Sequence, residues 1–175
     1  MEAARHLRIV EVNKEIAACR AKKNWQKALG ILRDAQASRL QTDVITYNSA
    51  TRVASGHWEV ALSLLDEAMH QGQELDAISF TGVISACEKS SCWYRALALW
   101  EEVKVDESIG KDSVLCGATV SACARAGQWQ RAMQLLKEVE DLKLQLDLII
   151  YNSTVTACEK STPTQWQHAV ALLVD

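Results

Sequence analysis

The sequence predicts an all-α protein, a right-handed α-solenoid built from helix-turn-helix units of about 35 residues. Three observations favour this fold class. The 175 residues include only seven glycines and one proline, fewer than hairpin-rich chains require. A pattern that begins with tryptophan recurs five times, and an apolar segment rich in small residues precedes each copy. Because such a helix pair cannot bury its apolar faces alone, neighbouring units are expected to stack.

Each repeated tryptophan predicts the start of the second helix of a unit. Alanine follows at +3, Leu, Met or Val at +4, and large apolar residues at +6 and +7. This spacing is typical of the buried face of a helix, so we expect the stripe to form the core. The five tryptophans are Trp25, Trp58, Trp93, Trp129 and Trp166.

The segment before each tryptophan predicts the first helix of the unit. In four copies an aliphatic residue is followed three positions later by cysteine, and the small Ala and Cys side chains allow a neighbouring helix to approach closely. Each complete unit ends at an aspartate. The predicted repeats span 9–43, 44–76, 77–112, 113–147 and the incomplete 148–175, in a single domain over residues 1–175.

A period near 35 residues leaves two families of paired helices. The tetratricopeptide consensus places its tryptophan in the first helix, which fits poorly here. The first helices instead begin with Asp43-Val-Ile-Thr-Tyr-Asn48 and Asp147-Leu-Ile-Ile-Tyr-Asn152. These segments resemble the pentatricopeptide repeat, whose consensus opens with Asp, two apolar residues, Thr, Tyr and Asn. The resemblance covers residues 9–175 and implies a segment of a longer repeat array.

The resemblance implies sequence-specific binding of single-stranded RNA, with one base read by each repeat. In that family the fifth and last residues of a repeat read the base, and the second residue packs against it. The implied base-reading residues are Asn13, Asp43, Asn48, Asp76, Thr81, Asp112, Gly117, Asp147 and Asn152. The implied base-packing residues are the aliphatic Val10, Ile45, Ile78, Val114 and Ile149.

The family's pairing rules imply a short RNA sequence. Asn with Asp favours uracil and Thr with Asp favours guanine, so the first three repeats are expected to read U, U and G from the 5′ side. Gly117 has no side chain to read the fourth base, and Asn152 is expected to prefer a pyrimidine.

The charge is uneven along the chain. Residues 1–42 carry nine Lys/Arg and four Asp/Glu, whereas residues 43–175 carry ten and eighteen, so overall charge does not favour a polyanion. A basic residue nevertheless recurs near the end of the first helix. These residues are the expected phosphate contacts, Lys22, Lys89, Arg125 and Lys160.

Each functional interpretation has a structural alternative. Asn at the fifth position and Asp at the end of a unit are also common near helix starts, where they cap backbone N–H groups. The basic row could belong to an ordinary solvated face. Acidic residues such as Glu138, Glu140 and Asp141 are expected on a solvated outer face.

Other functional classes lack support in the sequence. Four of the six cysteines occupy one repeat position and are expected to be buried rather than to bind metal or form disulfides. The four histidines are scattered, and no catalytic motif is present, so neither an enzyme nor a cofactor is expected. No membrane segment and no small-molecule substrate are predicted.

The resemblance implies organellar RNA processing, stability, editing or translation, in a mitochondrion or plastid, although no targeting peptide is visible. The alternative function is a tetratricopeptide-like scaffold that binds a peptide or helix of another protein in its concave groove, and the acidic residues 43–175 favour it. A purely structural array is a third interpretation.

Overall fold

The computed structural model describes residues 2–106, 109–110, 113–144 and 148–160, and the side chains of all of these except residues 2–7, 149 and 160. All regular elements in these residues are α-helices, which confirms the predicted fold class. The helices are α1 (Glu2–Ala21), α2 (Trp25–Ala37), α3 (Val44–Val53), α4 (Trp58–His70), α5 (Ala77–Lys89), α6 (Trp93–Val105), α7 (Ser113–Arg125), α8 (Trp129–Asp141) and α9 (Leu148–Lys160).

The second helices begin where the tryptophan pattern predicts, at Trp25, Trp58, Trp93 and Trp129. The fifth copy, at Trp166, lies outside the described residues. The first helix of the chain begins earlier than the first predicted unit. It starts at Glu2, because the residues before Ile9 include good helix formers and neither Gly nor Pro.

The alanine stripe forms the core of each second helix, as predicted. The alanines three residues after each tryptophan are at most 1% exposed, whereas the tryptophans themselves are only half-buried. Alanine at this position lets a facing first helix pack close to the backbone. The alanines are Ala28, Ala61, Ala96 and Ala132.

Two compact units divide the chain, Met1–Ala86 and Cys87–Asp175. In Met1–Ala86, α1 packs against α2 and α3, and α3 packs against α2 and α4. A hydrophobic cluster there includes the buried side chains of Ile16, Leu32, Tyr47 and Leu64. The first helices α1 and α3 therefore lie side by side.

In Cys87–Asp175, α7 packs against α6, α8 and α9, and α8 also packs against α9. Trp100, Leu115, Leu136 and Ile150 are fully buried in this unit. The first helices α7 and α9 are direct neighbours, which is the arrangement that stacking of repeats requires. Among the described helices, none combines the length and the apolar composition needed to span a bilayer.

The expected position of Glu138 on a solvated face is wrong. Its side chain is 24% exposed, and Oε2 accepts hydrogen bonds from Trp100 Nε1 at 3.2 Å and from Lys104 Nζ at 2.9 Å. Desolvation raises the pKa of Glu138, but the hydrogen bonds from Lys104 and Trp100 outweigh it and leave the pKa below its usual range. Glu140 and Asp141 are exposed, as expected.

Candidate nucleic-acid interface

An exposed aliphatic residue occupies the second position of each predicted repeat whose side chain is described. The exposed fractions are 38% for Val10, 60% for Ile45, 62% for Ile78 and 64% for Val114. The Ile149 side chain lies outside the described residues. An exposed aliphatic side chain does not contribute the free energy of burial in the core. Its recurrence at the second position of the repeats therefore indicates a surface on the first helices that is available to an apolar or aromatic ligand.

The fifth residues lie one helical turn after these aliphatic residues, on the same face of each first helix. Asn48 and Thr81 are half-buried, and Asn152 is exposed. The Thr81 hydroxyl donates a hydrogen bond to the Ala77 carbonyl oxygen at 2.7 Å. Its oxygen therefore remains available as an acceptor.

Asn13 differs from the other fifth residues. Its Oδ1 atom is buried and has no hydrogen-bond partner among the described residues. A buried amide oxygen without a donor is energetically costly. Asp43 is the expected pairing partner of Asn13. Its Oδ1 accepts hydrogen bonds from the backbone N–H and the hydroxyl of Thr46, at 2.8 and 2.7 Å.

The two described closing aspartates cap first helices. Asp43 is the N-cap of α3, and Asp76 Oδ1 accepts from the Ser79 backbone N–H and hydroxyl, both at 2.9 Å. The capping alternative is therefore correct for both residues. Capping still leaves the other carboxylate oxygen of each aspartate available for a second role. Asp112 and Asp147 lie outside the described residues.

Gly117 is buried at the contact between α7 and α9. A Cβ atom at this position would lie 3.4 Å from Ile150 Cγ1. Close packing of the two first helices is the physical reason for a small residue here. The fifth position of this repeat therefore presents no side chain to a base.

The predicted phosphate contacts have different surroundings. Lys22 is exposed and lines a cleft of about 380 Å³ together with Lys27, a basic residue that the repeat pattern did not single out. Lys89 is exposed. Arg125 Nε donates to Glu88 Oε1 at 3.2 Å, and the Arg125 side chain is 56% exposed. The side chain of Lys160 lies outside the described residues.

A second cleft, of about 400 Å³, brings a predicted phosphate contact and a predicted base-reading residue together. Arg125 and Asn152 both line it. The Ser121 and Ser153 hydroxyls lie 3.0 Å apart along its wall, and the Thr156 hydroxyl donates to the Asn152 carbonyl oxygen at 2.7 Å. The cleft thus combines hydroxyl groups with a cation that is paired to the Glu88 carboxylate, which also lines it.

The cysteines are buried, as predicted. All six are free thiols, and burial raises the pKa of Cys116 to about 12 and that of Cys123 to about 11. A thiol with such a pKa is neither a nucleophile nor a metal ligand at neutral pH. Within the described ranges, no three His, Cys, Asp or Glu residues are close enough together to hold a metal ion.

Residues 78–107 and 114–144 match the family model described as PPR repeat. Two repeats of this chain are thus similar to pentatricopeptide repeats. The two matched segments begin at Ile78 and Val114, the second residues of α5 and α7. Comparison with curated protein sequences finds no match.

Solved structures share the fold of this chain. The crystal structure of the pentatricopeptide repeat protein PPR10 in complex with an 18-nt psaJ RNA element is similar, with a TM-score of 0.76 and 21% identity. A cysteine-to-serine variant of that complex gives the same values. For both, the alignment covers 94% of this chain and 26% of the PPR10 chain. The structure of PPR10 from maize has a TM-score of 0.61 and 17% identity, and 93% of this chain and 28% of that chain are covered.

Proposed function

We propose that this chain is a segment of a pentatricopeptide repeat protein and that it binds single-stranded RNA through its first helices, with one base at each repeat. The observation that supports the proposal best is the recurring pair of an exposed aliphatic residue and, three residues later, a polar fifth residue. Ile45 with Asn48 and Ile78 with Thr81 are two such pairs. An aliphatic side chain can pack on a base face while the polar side chain one turn away bonds to the base edge.

The proposed base order is U, U and G from the 5′ side for the first three repeats. An Asn side chain offers both a donor and an acceptor to uracil. The Thr81 hydroxyl already donates to Ala77, so its lone pairs are free to accept from the N–H groups of guanine. Gly117 leaves the fourth base unread, and Asn152 selects a pyrimidine at the fifth.

The resemblance in fold to PPR10, whose structure contains an 18-nt RNA element, supports an RNA ligand. Because this chain spans 26% of the PPR10 chain, the biological process is part of the proposal. That process is organellar RNA processing, stability, editing or translation, in a mitochondrion or plastid. We further propose that residues 1–175 act as one array of repeats.

The expected affinity is modest. Contacts worth roughly 1 to 2 kcal/mol per base over about four bases must offset an association cost of at least about 4 kcal/mol. The dissociation constant should therefore be micromolar or weaker. Low ionic strength is the appropriate condition for its measurement, because phosphate contacts weaken with salt.

Fluorescence anisotropy with a U-rich RNA that contains UUG tests the proposal. The same protein is titrated with poly-A RNA of equal length and with duplex RNA. We expect preference for the UUG strand, and loss of that preference in the double variant Asn48→Ala/Thr81→Ala.

The matched control is the double variant Ser63→Ala/Gln130→Ala. It also removes one amide and one hydroxyl, from exposed positions on the second helices α4 and α8, and the Ser63 hydroxyl donates to Val60 O much as the Thr81 hydroxyl donates to Ala77 O. The control should retain the preference. Absence of binding to every strand by a folded sample would refute the proposal and favour a protein-binding scaffold.

A further inference from the structure

One of the predicted phosphate contacts is already paired within the protein. Arg125, at the end of α7, donates through Nε to Glu88 Oε1 at 3.2 Å. Glu88 is the second-last residue of α5, the first helix of the preceding repeat, and its side chain is 23% exposed. The ion pair therefore joins two successive first helices near their carboxyl ends.

The pair borders the cleft that Asn152 also lines. Asn152 is the predicted base-reading residue of the next repeat, so a strand whose base reaches Asn152 would bring its phosphate near Arg125. One of the Ser121 and Ser153 hydroxyls donates to the other, and the remaining hydroxyl hydrogen can be donated to the same phosphate. A carboxylate at this point has the wrong charge for the ligand.

We propose that Glu88 is an internal competitor for the RNA phosphate at Arg125, an inference that rests on the proposed function. The guanidinium has five N–H donors in a planar fork, and the carboxylate occupies the Nε side of it. Bidentate binding of a phosphate through that side requires the carboxylate to move away. While Glu88 stays, its charge also repels a phosphate bound to Arg125, because Glu88 Oε1 lies only 3.2 Å from Arg125 Nε and salt screens charges over a Debye length of about 8 Å.

The test is a double-mutant cycle on the full chain, with RNA affinity measured by anisotropy on the U-rich UUG strand. The four proteins are wild type, Glu88→Gln, Arg125→Gln and the double variant. We expect Glu88→Gln to raise affinity about two- to fivefold, the range expected for release of an exposed ion pair. It should also steepen the dependence of log affinity on log salt by up to about 0.7, the value for one additional phosphate contact on a single strand.

Two comparisons separate this effect from a general change in charge. In the Arg125→Gln background, Glu88→Gln should change affinity less than it does in the wild type. Glu159→Gln is the matched control, because Glu159 is exposed and lies at the corresponding position of α9. Circular dichroism of every variant establishes that it is folded.

Each outcome has a definite meaning. Wild-type preference for UUG without a gain in Glu88→Gln overturns the inference and leaves the proposed function intact. A gain of equal size in the Arg125→Gln background, or in Glu159→Gln, also overturns it, because the effect would then not act through Arg125. If no variant binds any RNA, the proposed function and the inference both fail.

Discussion

Gln36 Nε2 donates a hydrogen bond of 2.6 Å to Glu67 Oε1, which joins α2 to α4. Tyr47 OH donates to the same oxygen at 3.2 Å, and the pKa of Tyr47 is raised, first by burial and further by the Glu67 charge. The pair Lys104 and Glu138 joins α6 to α8 in the same way. Both glutamates stand nine residues after the tryptophan of their helix, so in these two repeats an acidic residue at the same position links a second helix to the preceding second helix.

Glu138→Gln should destabilise the protein by about 1 kcal/mol. The substitution removes the charge that Lys104 and Trp100 bind, while the remaining amide oxygen can still accept one hydrogen bond. Urea denaturation provides the measurement. Glu140→Gln, at an exposed position of the same helix, is the control and should change the free energy of unfolding by no more than about 0.5 kcal/mol. Equal effects of the two substitutions would contradict the proposed link.

The same carboxylate should make stability depend on pH. The pKa of Glu138 is lowered in the folded protein, because the hydrogen bonds from Lys104 and Trp100 outweigh desolvation. Its contribution is therefore fully present above the unfolded pKa and is lost as pH falls through the folded pKa. Urea midpoints measured between neutral and acidic pH should fall less steeply for Glu138→Gln than for wild type. Parallel curves would show that Glu138 contributes nothing to the acid response.

The exposed aliphatic row should matter for binding and little for folding. Ile45→Ala should cost less than about 1 kcal/mol of stability, because the side chain is 60% exposed. Ile84→Ala, at a fully buried position, should cost about 2 to 5 kcal/mol. If the proposed function is correct, Ile45→Ala weakens RNA binding by up to about 1 kcal/mol. Thermal unfolding and anisotropy on the same samples test both statements, and unchanged RNA affinity would remove Ile45 from the interface.

The two described helix-interior glycines close to neighbouring side chains should respond differently to alanine. At Gly117 the added Cβ would meet Ile150 Cγ1 at an ordinary contact distance of 3.4 Å, so Gly117→Ala should be neutral or stabilise by up to about 1 kcal/mol through helix propensity. At Gly82 the contact with Thr51 Cγ2 is 3.2 Å, and part of that gain should be lost. Denaturant midpoints compare the two variants. A lower midpoint for Gly117→Ala than for Gly82→Ala would contradict the looser packing at Gly117.

Cys116 and Cys123 should resist thiol reagents in the folded protein. Both side chains are fully buried, and burial raises their pKa values to about 12 and about 11, so the thiolate is scarce at pH 8. Iodoacetamide labelling followed by peptide mass spectrometry should show modification of these residues only after denaturation. Rapid stoichiometric labelling of Cys116 under native conditions would refute this prediction.

Much of the fold could be predicted from local pattern. Tryptophan followed by alanine at +3 defines one buried face, and the second helices begin at the predicted residues. The aspartate that ends each unit was also informative, since a side chain that caps the next helix acts within a few residues of sequence. The repeated aliphatic residue at position two could be placed on one face because the helix period is known.

The links between repeats could not be predicted in this way. The sequence does not distinguish Glu88 from other acidic residues, and it predicts a solvated face for Glu138. Whether either carboxylate meets a cation depends on the spacing and rotation of neighbouring helices, which the pattern within one repeat does not contain. An acidic residue does recur nine positions after each tryptophan, as at Asp34 and Glu102, but this recurrence does not show which carboxylate meets a partner on a neighbouring helix.

The sequence by itself determined the helical repeat, the helix starts and the residues that recur at each repeat position, because these follow from interactions within about one helical turn. Only the tertiary structure decided that Gly117 lies against Ile150, that Gln36 reaches Glu67 and that Glu88 holds Arg125. Those contacts join residues about one repeat apart. Their formation depends on how closely two helices pack, and the summed shape of many side chains sets that distance.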